Sequence, residues 1–595
     1  MTHDRYRAHR ATREDRPDGA ILLSSGWDLG PVAHRTTDWL VDWAAAAPDR
    51  VFLAERSGPG WREVTYAQAL EQVKALAAAL ADRGMGAGTP ILIVSGNGVD
   101  HALLTLAAQY IGVPSVPVAE QYALIPGAHP VLERIAGMIR PAMVFADDAA
   151  RYGAALALPV FDGIEKVVSQ GAGPGLTAFA DLEKGRGDVS GLNAAVGPDT
   201  VAKYLLTSGS TSHPKGVLTT QRMMTTNQAQ LAVCLPFVTE KPPVLLDWLP
   251  WNHVFGGSHN FNLVLANGGT LYIDNGKPTP ALAAHTIENL RMVSPTIAFN
   301  VPVGFAVLRD AMKEDATLRR QYFQNLDMLF YAGASLPQDI WADLEAMAHE
   351  VRGDMPLFNS SWGLTETAPA ALIQHEFTHQ SGIIGVPLPE VTIKLVPADD
   401  ENRFEVRVKG DTITPGYLND PEKTAEAFDE EGYFITGDAM RFVDPADMNK
   451  GMKFDGRLAE EFKLNTGTWV RAAGLRLELL GKLKGLAQDI VITGADRAEV
   501  GVMIVPTDAL RAGAVDHGGA LAVTQAAEIA LRLKPGPTEG SAHAVRRAQV
   551  LAEPPSMAEG EITAKGNLNF RKLLLTRKAM LDRLYDDADP ATIKV

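Results

Sequence analysis

Residues Tyr204–Leu218, YLLTSGSTSHPKGVL, pass in one step from a β-prone apolar run to six consecutive small or hydroxylated residues. Tyr204, Leu205 and Leu206 lead into Thr207, Ser208, Gly209, Ser210, Thr211 and Ser212. His213, Pro214, Lys215 and Gly216 follow before apolar residues resume. Small side chains let a backbone approach an anion closely, and successive N–H groups form a concave nest for it. Lys215 adds a mobile point charge. The stretch suits a polyphosphate; taken alone, an ordinary Ser/Thr-rich turn is the alternative. It is not a Walker A loop, because Pro214 stands where that motif has Gly and Gly216 where it has the hydroxyl that binds Mg²⁺.

The rest of the chain bounds what such a loop can serve. At 595 residues it exceeds one ordinary domain, and 46% apolar with 21% charged residues are the proportions of a globular protein. A formal charge of −16 argues against a nucleic-acid partner, whose affinity would come from a basic surface. One cysteine, Cys234, excludes an internal disulfide and a Cys-rich zinc site, and its apolar setting (LAVCLPF) marks it as core. The N-terminus is too charged for a signal peptide and no apolar run approaches a membrane span. No membrane partner is expected, and the cytoplasm is the expected location. Residues 1–20, charged and Pro/Gly-marked, read as a mobile tail.

Upstream of the loop, apolar spacing predicts helices over Thr37–Ala47 and Tyr66–Arg83, the second capped by Thr65. Pro90–Ser95, Asp100–Ile111 and Val113–Val118 read as strand, helix and strand, a parallel βαβ unit of an α/β sheet. The alternation recurs at Met143–Phe145 and Lys166–Val168. Downstream, Val244–Leu249 is a strand running into LPWNHVFGG, where His253 sits either at a pocket mouth or as a satisfied structural residue. Thr296–Phe305 (TIAFNVPVGF) reads as strand and turn. Met328–Pro337 (MLFYAGASLP) ends in the small residues Gly333, Ala334 and Ser335, which would let a flat heterocycle lie on backbone or simply make a tight turn. Asn359–Pro369 reads NSSWGLTETAP. Gly382–Lys394 and Glu405–Tyr417 alternate as strands of a smaller β-subdomain, and Tyr433–Asp438 is YFITGD. Polar residues 444–453 suit a boundary between domains.

In this order, these motifs resemble those of the adenylate-forming enzymes: acyl-CoA synthetases, luciferases and nonribosomal-peptide adenylation domains. The loop resembles their Thr-Ser-Gly-Ser/Thr-Thr-Gly-x-Pro-Lys-Gly signature, with Ser212 in place of the second Gly. The run Trp362-Gly363-Leu364-Thr365-Glu366 resembles their aromatic-Gly-x-Thr-Glu, with Trp where Tyr is commonest. Gly456–Val470 (GRLAEEFKLNTGTWV) is most similar to bacterial feruloyl-CoA synthases, although Ala459 stands where a pivotal Asp or Lys is usual. Near the C-terminus, Lys565-Gly566 replaces the commoner Gly-Lys order.

The resemblance implies an α/β fold: a large N-terminal domain of αβ-layered sheets with a β-subdomain over residues 1–455, and a small mobile α+β domain over 456–595. It implies ATP, Mg²⁺ and CoA as cofactor and co-substrates. Thr207, Ser208, Gly209, Ser210, Thr211 and Lys215 would hold phosphates, with Thr365 at the α-phosphate and Glu366 on Mg²⁺. Gly333, Ala334, Ser335, Ser361, Trp362 and Gly363 would border adenine. Asp438 would accept the ribose hydroxyls, a role that suits a carboxylate with two acceptor oxygens, and Arg457 would contact ribose or phosphate. Trp251, His253, Phe255, Phe299 and Asn300 would line the acyl site. Thr466, Gly467 and Thr468 would border the pantetheine of CoA, and Lys565 would be the catalytic lysine. The implied activity joins a carboxylic acid, by subfamily a hydroxycinnamate such as ferulate, to AMP and then to CoA. Medium- or long-chain fatty acids, or loading of a separate carrier protein, are the alternatives. Oligomeric state stays open, a homodimer being one option.

Overall fold

The computed structural model describes residues 5–208, 214–279, 281–333, 335–398, 402–516, 521–536, 540–556, 559–562 and 568–595. Helices Thr36–Ala46 and Tyr66–Asp82 follow the expected apolar spacing. Thr65 caps the second: its hydroxyl accepts from the Gln68 N–H at 3.3 Å, and the Gln68 side chain accepts from the Thr65 N–H at 2.9 Å. That exchange satisfies two donors the helix start would otherwise orphan. Strands Ile91–Ile93 and Ser115–Pro117, joined by helix Val99–Tyr110, pair in parallel with Ile91 opposite Ser115. Every residue of both strands is buried, Ser115 included, as parallel strands covered by helices require.

The described residues form two main sheets that meet at the loop region. One runs Pro214–Thr220, Val201–Ser208, Ser115–Pro117, Ile91–Ile93, Met143–Asp148, Glu165–Gln170, Thr177–Ala178. The other has eleven strands. Ile297–Asn300, Met328–Tyr331 and Leu357–Gly363 are parallel at one end, with Phe299, Phe330 and Asn359 in register. Its remainder is antiparallel and includes Ile383–Pro387, Thr392–Pro397, Phe404–Lys409, Phe434–Phe442 and Met452–Arg457. The alternating strands expected as a β-subdomain are thus hydrogen-bonded into the same sheet as the parallel ones. Ligands of open α/β sheets gather at the C-terminal ends of parallel strands. Here those ends release the turns that carry Val301, Gly333 and Glu366.

The mobile tail expected over residues 1–20 is corrected by the structure. Ala11–Asp15 and Ile21–Ser25 form an antiparallel hairpin, Asp15 opposite Ile21, and the second strand pairs onward with Thr392–Pro397. The charged ATRED is edge-strand chemistry, since charge discourages further pairing. Arg16–Gly19 closes the turn with Gly19 at φ +84°.

Beyond residue 463 a separate core forms from Leu464, Leu475, Ile490, Val502, Ile529 and their neighbours, around the sheet Ala487–Thr493, Val500–Pro506, Val545–Val550, Ile593–Lys594. No buried apolar residue lies between Met452 and Leu464. The expected division at 455/456 falls at the start of this gap, inside strand Met452–Arg457. Ionic groups span it: Arg403, 1% exposed, donates to Asp455 Oδ2 at 2.7 Å and to the carboxylate of Glu461.

Candidate functional site

Strand Leu357–Gly363 delivers Trp362 and then turns sharply. Gly363 is required there, because a Cβ would lie 1.7 Å from Pro369 O. The Leu364 N–H donates to Thr367 Oγ1 at 2.7 Å, and the short 3₁₀ turn Thr365–Thr367 leaves Thr365 buried. Glu366 is held from both ends. Its carbonyl accepts from the Thr414 N–H at 2.9 Å, and its Oε1 accepts from the Tyr417 hydroxyl at 3.1 Å. Burial, with help from neighbouring Glu366, pushes the Tyr417 phenol upward, so it remains a donor.

Tyr417 in turn lies beneath Lys215, whose Nζ is 4.7 Å from the ring centroid. Residues 416–418 reach this position by pairing along strand Pro214–Thr220: the Leu218 N–H donates to Gly416 O at 3.1 Å and the Leu418 N–H to Gly216 O at 2.8 Å. Thr207 lies opposite Lys215 in the hairpin. The expected phosphate residues Gly209, Ser210 and Thr211 lie outside the described residues, and Ser208 is described only as strand backbone.

On the other flank, Trp362 Nε1 donates to Asp438 Oδ2 at 2.9 Å. Asp438 pairs across the strands with Arg457, whose Nε is 3.3 Å from Oδ1. That contact is not aligned as a hydrogen bond, and buried Oδ1 accepts none among the described residues. Burial pushes the Asp438 carboxyl up to about 6 against the opposing pull of Arg457 and the Trp362 bond. A buried acceptor left without a donor costs about 1–3 kcal/mol, so a ligand hydroxyl would be welcome there. The residues therefore fit a ribose. Among the described residues no cluster of three His, Cys, Asp or Glu could hold a metal by itself. The carboxylate of Glu366 is the kind of hard oxygen ligand that would suit Mg²⁺.

A second region forms around the turn after Leu249. Segment 249–257 folds back on itself: a Cβ on Gly256 would lie 2.3 Å from Leu249 O, and one on Gly257 2.2 Å from Trp251 O. It continues into a π-helical turn, Phe255–Asn260, and helix Phe261–Ala266. Phe255 and His259 both pack on Phe299 and Phe330, at centroid distances of 5.8, 5.7, 5.3 and 5.3 Å, and Phe299 is 5.1 Å from Phe330. His259 and Phe330 were not singled out from sequence, since nothing local marks them.

His259 Nδ1 meets Asn260 Oδ1 at 3.0 Å, and Asn260 Nδ2 donates to Asp247 Oδ2 at 2.8 Å. This fixes the amide and leaves His259 Nε2 without a partner among the described residues. Burial lowers His259 to about 4 and raises Asp247 to about 7. His253 Nδ1 accepts from the Phe255 N–H at 3.2 Å. Asn300 Oδ1 accepts from Trp248 Nε1 at 3.2 Å and from the Val301 N–H at 2.9 Å. Trp251 packs edge-on to His101 and Phe261, away from this ring cluster, with its N–H given to Asn97 at 2.9 Å.

The remaining expected residues lie on several elements. Gly333 takes φ +87° after strand Met328–Tyr331, Ser335 is exposed, and Ser361 lies in its strand opposite Ile373. Thr466, Gly467 and Thr468 form the tip of a small hairpin, with Gly467 at φ +86° and the Thr466 hydroxyl donating to Thr468 Oγ1 at 3.2 Å. No described contact joins that tip to Glu366 or Asp438. Ala334 and Lys565 lie outside the described residues. Among the described residues no helix is long and apolar enough to cross a membrane.

Residues 40–418 match the family described as AMP-binding enzyme. A carboxylic acid reductase of Mycobacterium marinum is 26% identical over 496 residues, which are 76% of this chain and 40% of that protein. The chain therefore spans well under half of that relative's length. A 4-coumarate–CoA ligase of Arabidopsis thaliana is 25% identical over 410 residues, 66% of this chain and 68% of that one. The solved A domain of the carboxylic acid reductase from Segniliparus rugosus, in complex with AMP and a co-purified carboxylic acid, superposes with a TM-score of 0.70 at 19% identity. That match covers 93% of this chain and 94% of the other, a likeness of fold.

Proposed function

This chain belongs to the AMP-binding enzyme family, and we propose that it activates a carboxylic acid with ATP and passes the acyl group to the thiol of CoA. The observation that carries this reading is the polar corner: Lys215, Tyr417 and Glu366 in one chain of contacts, with Trp362, Asp438 and Arg457 beside it. In the first half-reaction a carboxylate oxygen attacks the α-phosphorus and pyrophosphate leaves. Lys215 and the hydroxyls around Thr207 hold the phosphates, Thr365 donates to the α-phosphate, and Asp438 takes the ribose hydroxyls with Arg457 alongside. Gly333, Ala334, Ser335, Ser361, Trp362 and Gly363 bound the adenine. Mg²⁺ held by Glu366 would supply charge neutralisation at the phosphates. Lys565 supplies positive charge at the transition state. In the second half-reaction the part beyond residue 455 reorients, the Thr466–Thr468 tip borders the pantetheine, and the CoA thiol, giving up its proton, bonds to the acyl carbonyl carbon as AMP leaves.

The acyl group is read as aromatic, a hydroxycinnamate such as ferulate, bounded by Phe255, Phe299, His253 and Asn300, with Trp251 behind. The subfamily wording and the likeness to a 4-coumarate–CoA ligase support it. Hydroxycinnamates are expected to exceed acetate and palmitate in kcat/KM by at least about tenfold, since burying an aromatic ring contributes about 1.5–3 kcal/mol. A screen of carboxylic acids for pyrophosphate release, with and without CoA, tests this. Better turnover of palmitate would point to a fatty acyl-CoA synthetase. A carrier-protein acceptor is the second reading, favoured by the match to part of a much longer carboxylic acid reductase; pyrophosphate release without CoA consumption would select it.

A further inference from the structure

Lys203 is 4% exposed in the middle of strand Val201–Ser208, the strand that feeds the phosphate loop. It lies between Ser115 on one neighbouring strand and Thr219 on the other. Alternation along a strand puts Lys203, Leu205 and Thr207 on one face. Tyr204 and Leu206 take the opposite face, where they pack with Leu92, Val116 and Val144. Among the described residues the Lys203 ammonium donates to a single acceptor, the carbonyl of Gly257, and no carboxylate acts on it. Burial holds it below the usual lysine range, at about 8. His101, from helix Val99–Tyr110, is lowered chiefly by its own burial, and the nearby Lys203 charge adds to that. Burying an ammonium without a counter-ion opposes folding, so the contact it makes must be sought in what Gly257 does.

The Gly257 peptide is fastened on every side. Its N–H donates to His253 O at 2.9 Å, a Cβ on it would lie 2.2 Å from Trp251 O, and its carbonyl takes the Lys203 ammonium. It sits inside the π-helical turn between Phe255 and His259, the two rings of that turn that pack on Phe299 and Phe330. The lysine therefore ties the strand of the phosphate loop directly to the backbone that aims the ring cluster. Acid activation requires a carboxylate and an α-phosphorus to meet in near-attack geometry, and displacements of about 1 Å are enough to cost such a reaction heavily. We propose that Lys203 is a positioning residue that fixes the acyl-site wall in register with the phosphate loop. This rests on the reading that the site activates a carboxylic acid.

Lys203→Met and Lys203→Gln, measured in the full chain, test it. Met fills the space of the lysine stem without charge, and Gln keeps a donor. In Lys203→Met the KM for the best acid is expected to rise at least about tenfold while the KM for ATP stays within about threefold. Its Tm is expected to equal or exceed that of the parent, because an unpaired buried charge has been removed. Lys203→Gln should fall between the two in acid KM. A merely structural lysine predicts the reverse, a lower Tm with unchanged kinetic constants, and that result would overturn the assignment. Equal rises in both KM values, unchanged KM values, or loss of soluble protein in both variants would overturn it as well. If the parent releases no pyrophosphate with any acid, the acid-activation reading itself fails, and this assignment with it.

Discussion

The polar corner around Glu366 and Asp438 and the ring cluster around His259 lie beside the same parallel strands, yet different forces assemble them. In the corner two directional hydrogen bonds join named partners, Tyr417 to Glu366 at 3.1 Å and Trp362 to Asp438 at 2.9 Å, with the charges of Lys215 and Arg457 beside them. In the cluster Phe255, His259, Phe299 and Phe330 are each in mutual ring contact and none is more than 6% exposed. A directional contact is lost outright when one atom is replaced. Packed rings accept changes that conserve volume and respond to those that do not. The corner thus depends on single polar atoms, and the cluster on shape and volume.

The largest effect should come from separating chemistry from acceptor. Lys565→Ala is expected to lower acyl-adenylate formation by roughly 10²-fold or more, while sparing thioester formation from supplied acyl adenylate. Gly467→Trp should do the reverse by filling the space beside the hairpin tip. Pyrophosphate release and CoA consumption, followed separately, decide the matter; parallel losses would remove the two-conformation reading.

Next, Asp438→Asn should raise the KM for ATP by about tenfold or more, because a neutral amide replaces a charged acceptor. In the parent, Asp438 protonates as pH falls through about 6. The KM for ATP should therefore climb below that pH in the parent and stay flat in Asp438→Asn. A pH-independent KM in the parent would detach Asp438 from the nucleotide.

Within the cluster, Phe299→Ala should destabilise by about 3–5 kcal/mol and raise the KM for the acid, whereas Phe299→Leu should cost far less stability while changing the order of acids. If the order of acids is the same in both variants and the parent, the cluster does not choose the substrate.

The smallest expected effect lies outside both regions. His9 of the N-terminal strap accepts the His375 N–H at 3.2 Å through Nε2 and gives Nδ1–H to Asn449 O at 2.7 Å, while His375 Nδ1 donates to Arg7 O at 2.7 Å. Burial lowers both, His375 to about 3. Both fold as neutral rings, so their contribution is complete above about 6.5, the unfolded value, and is lost as pH falls below it. Tm should drop between pH 7 and 5, and less steeply in His375→Gln. An equal slope in the variant would clear this pair of any part in acid lability.

Much of this molecule was legible in local sequence. The βαβ unit, the Thr65 cap and burial of Cys234 all follow from spacing and composition, because they depend on neighbours within a few residues. The hairpin at residues 11–25 was misread as a tail, since a charged edge strand and a disordered segment have the same composition, and only its pairing with Thr392–Pro397 tells them apart. Tyr417 lay inside a segment already noted, but no local feature marks it as the link between Lys215 and Glu366.

By itself the sequence determined an α/β chain with a phosphate-suited loop and a carboxylate after an aromatic-Gly turn. The periods of helices and strands, and turns that only Gly or small residues can make, are local properties. Tertiary structure alone decided that Asp438 keeps a buried oxygen without a hydrogen-bond donor, that four rings from three segments share one cluster, and that Trp251 stands outside it. It also decided that Lys203 ends on Gly257 and Arg403 on Asp455 and Glu461. Each of these contacts joins residues about fifty or more positions apart or depends on which face of an element is covered, and the burial that gives them their energy exists only once the sheets have closed.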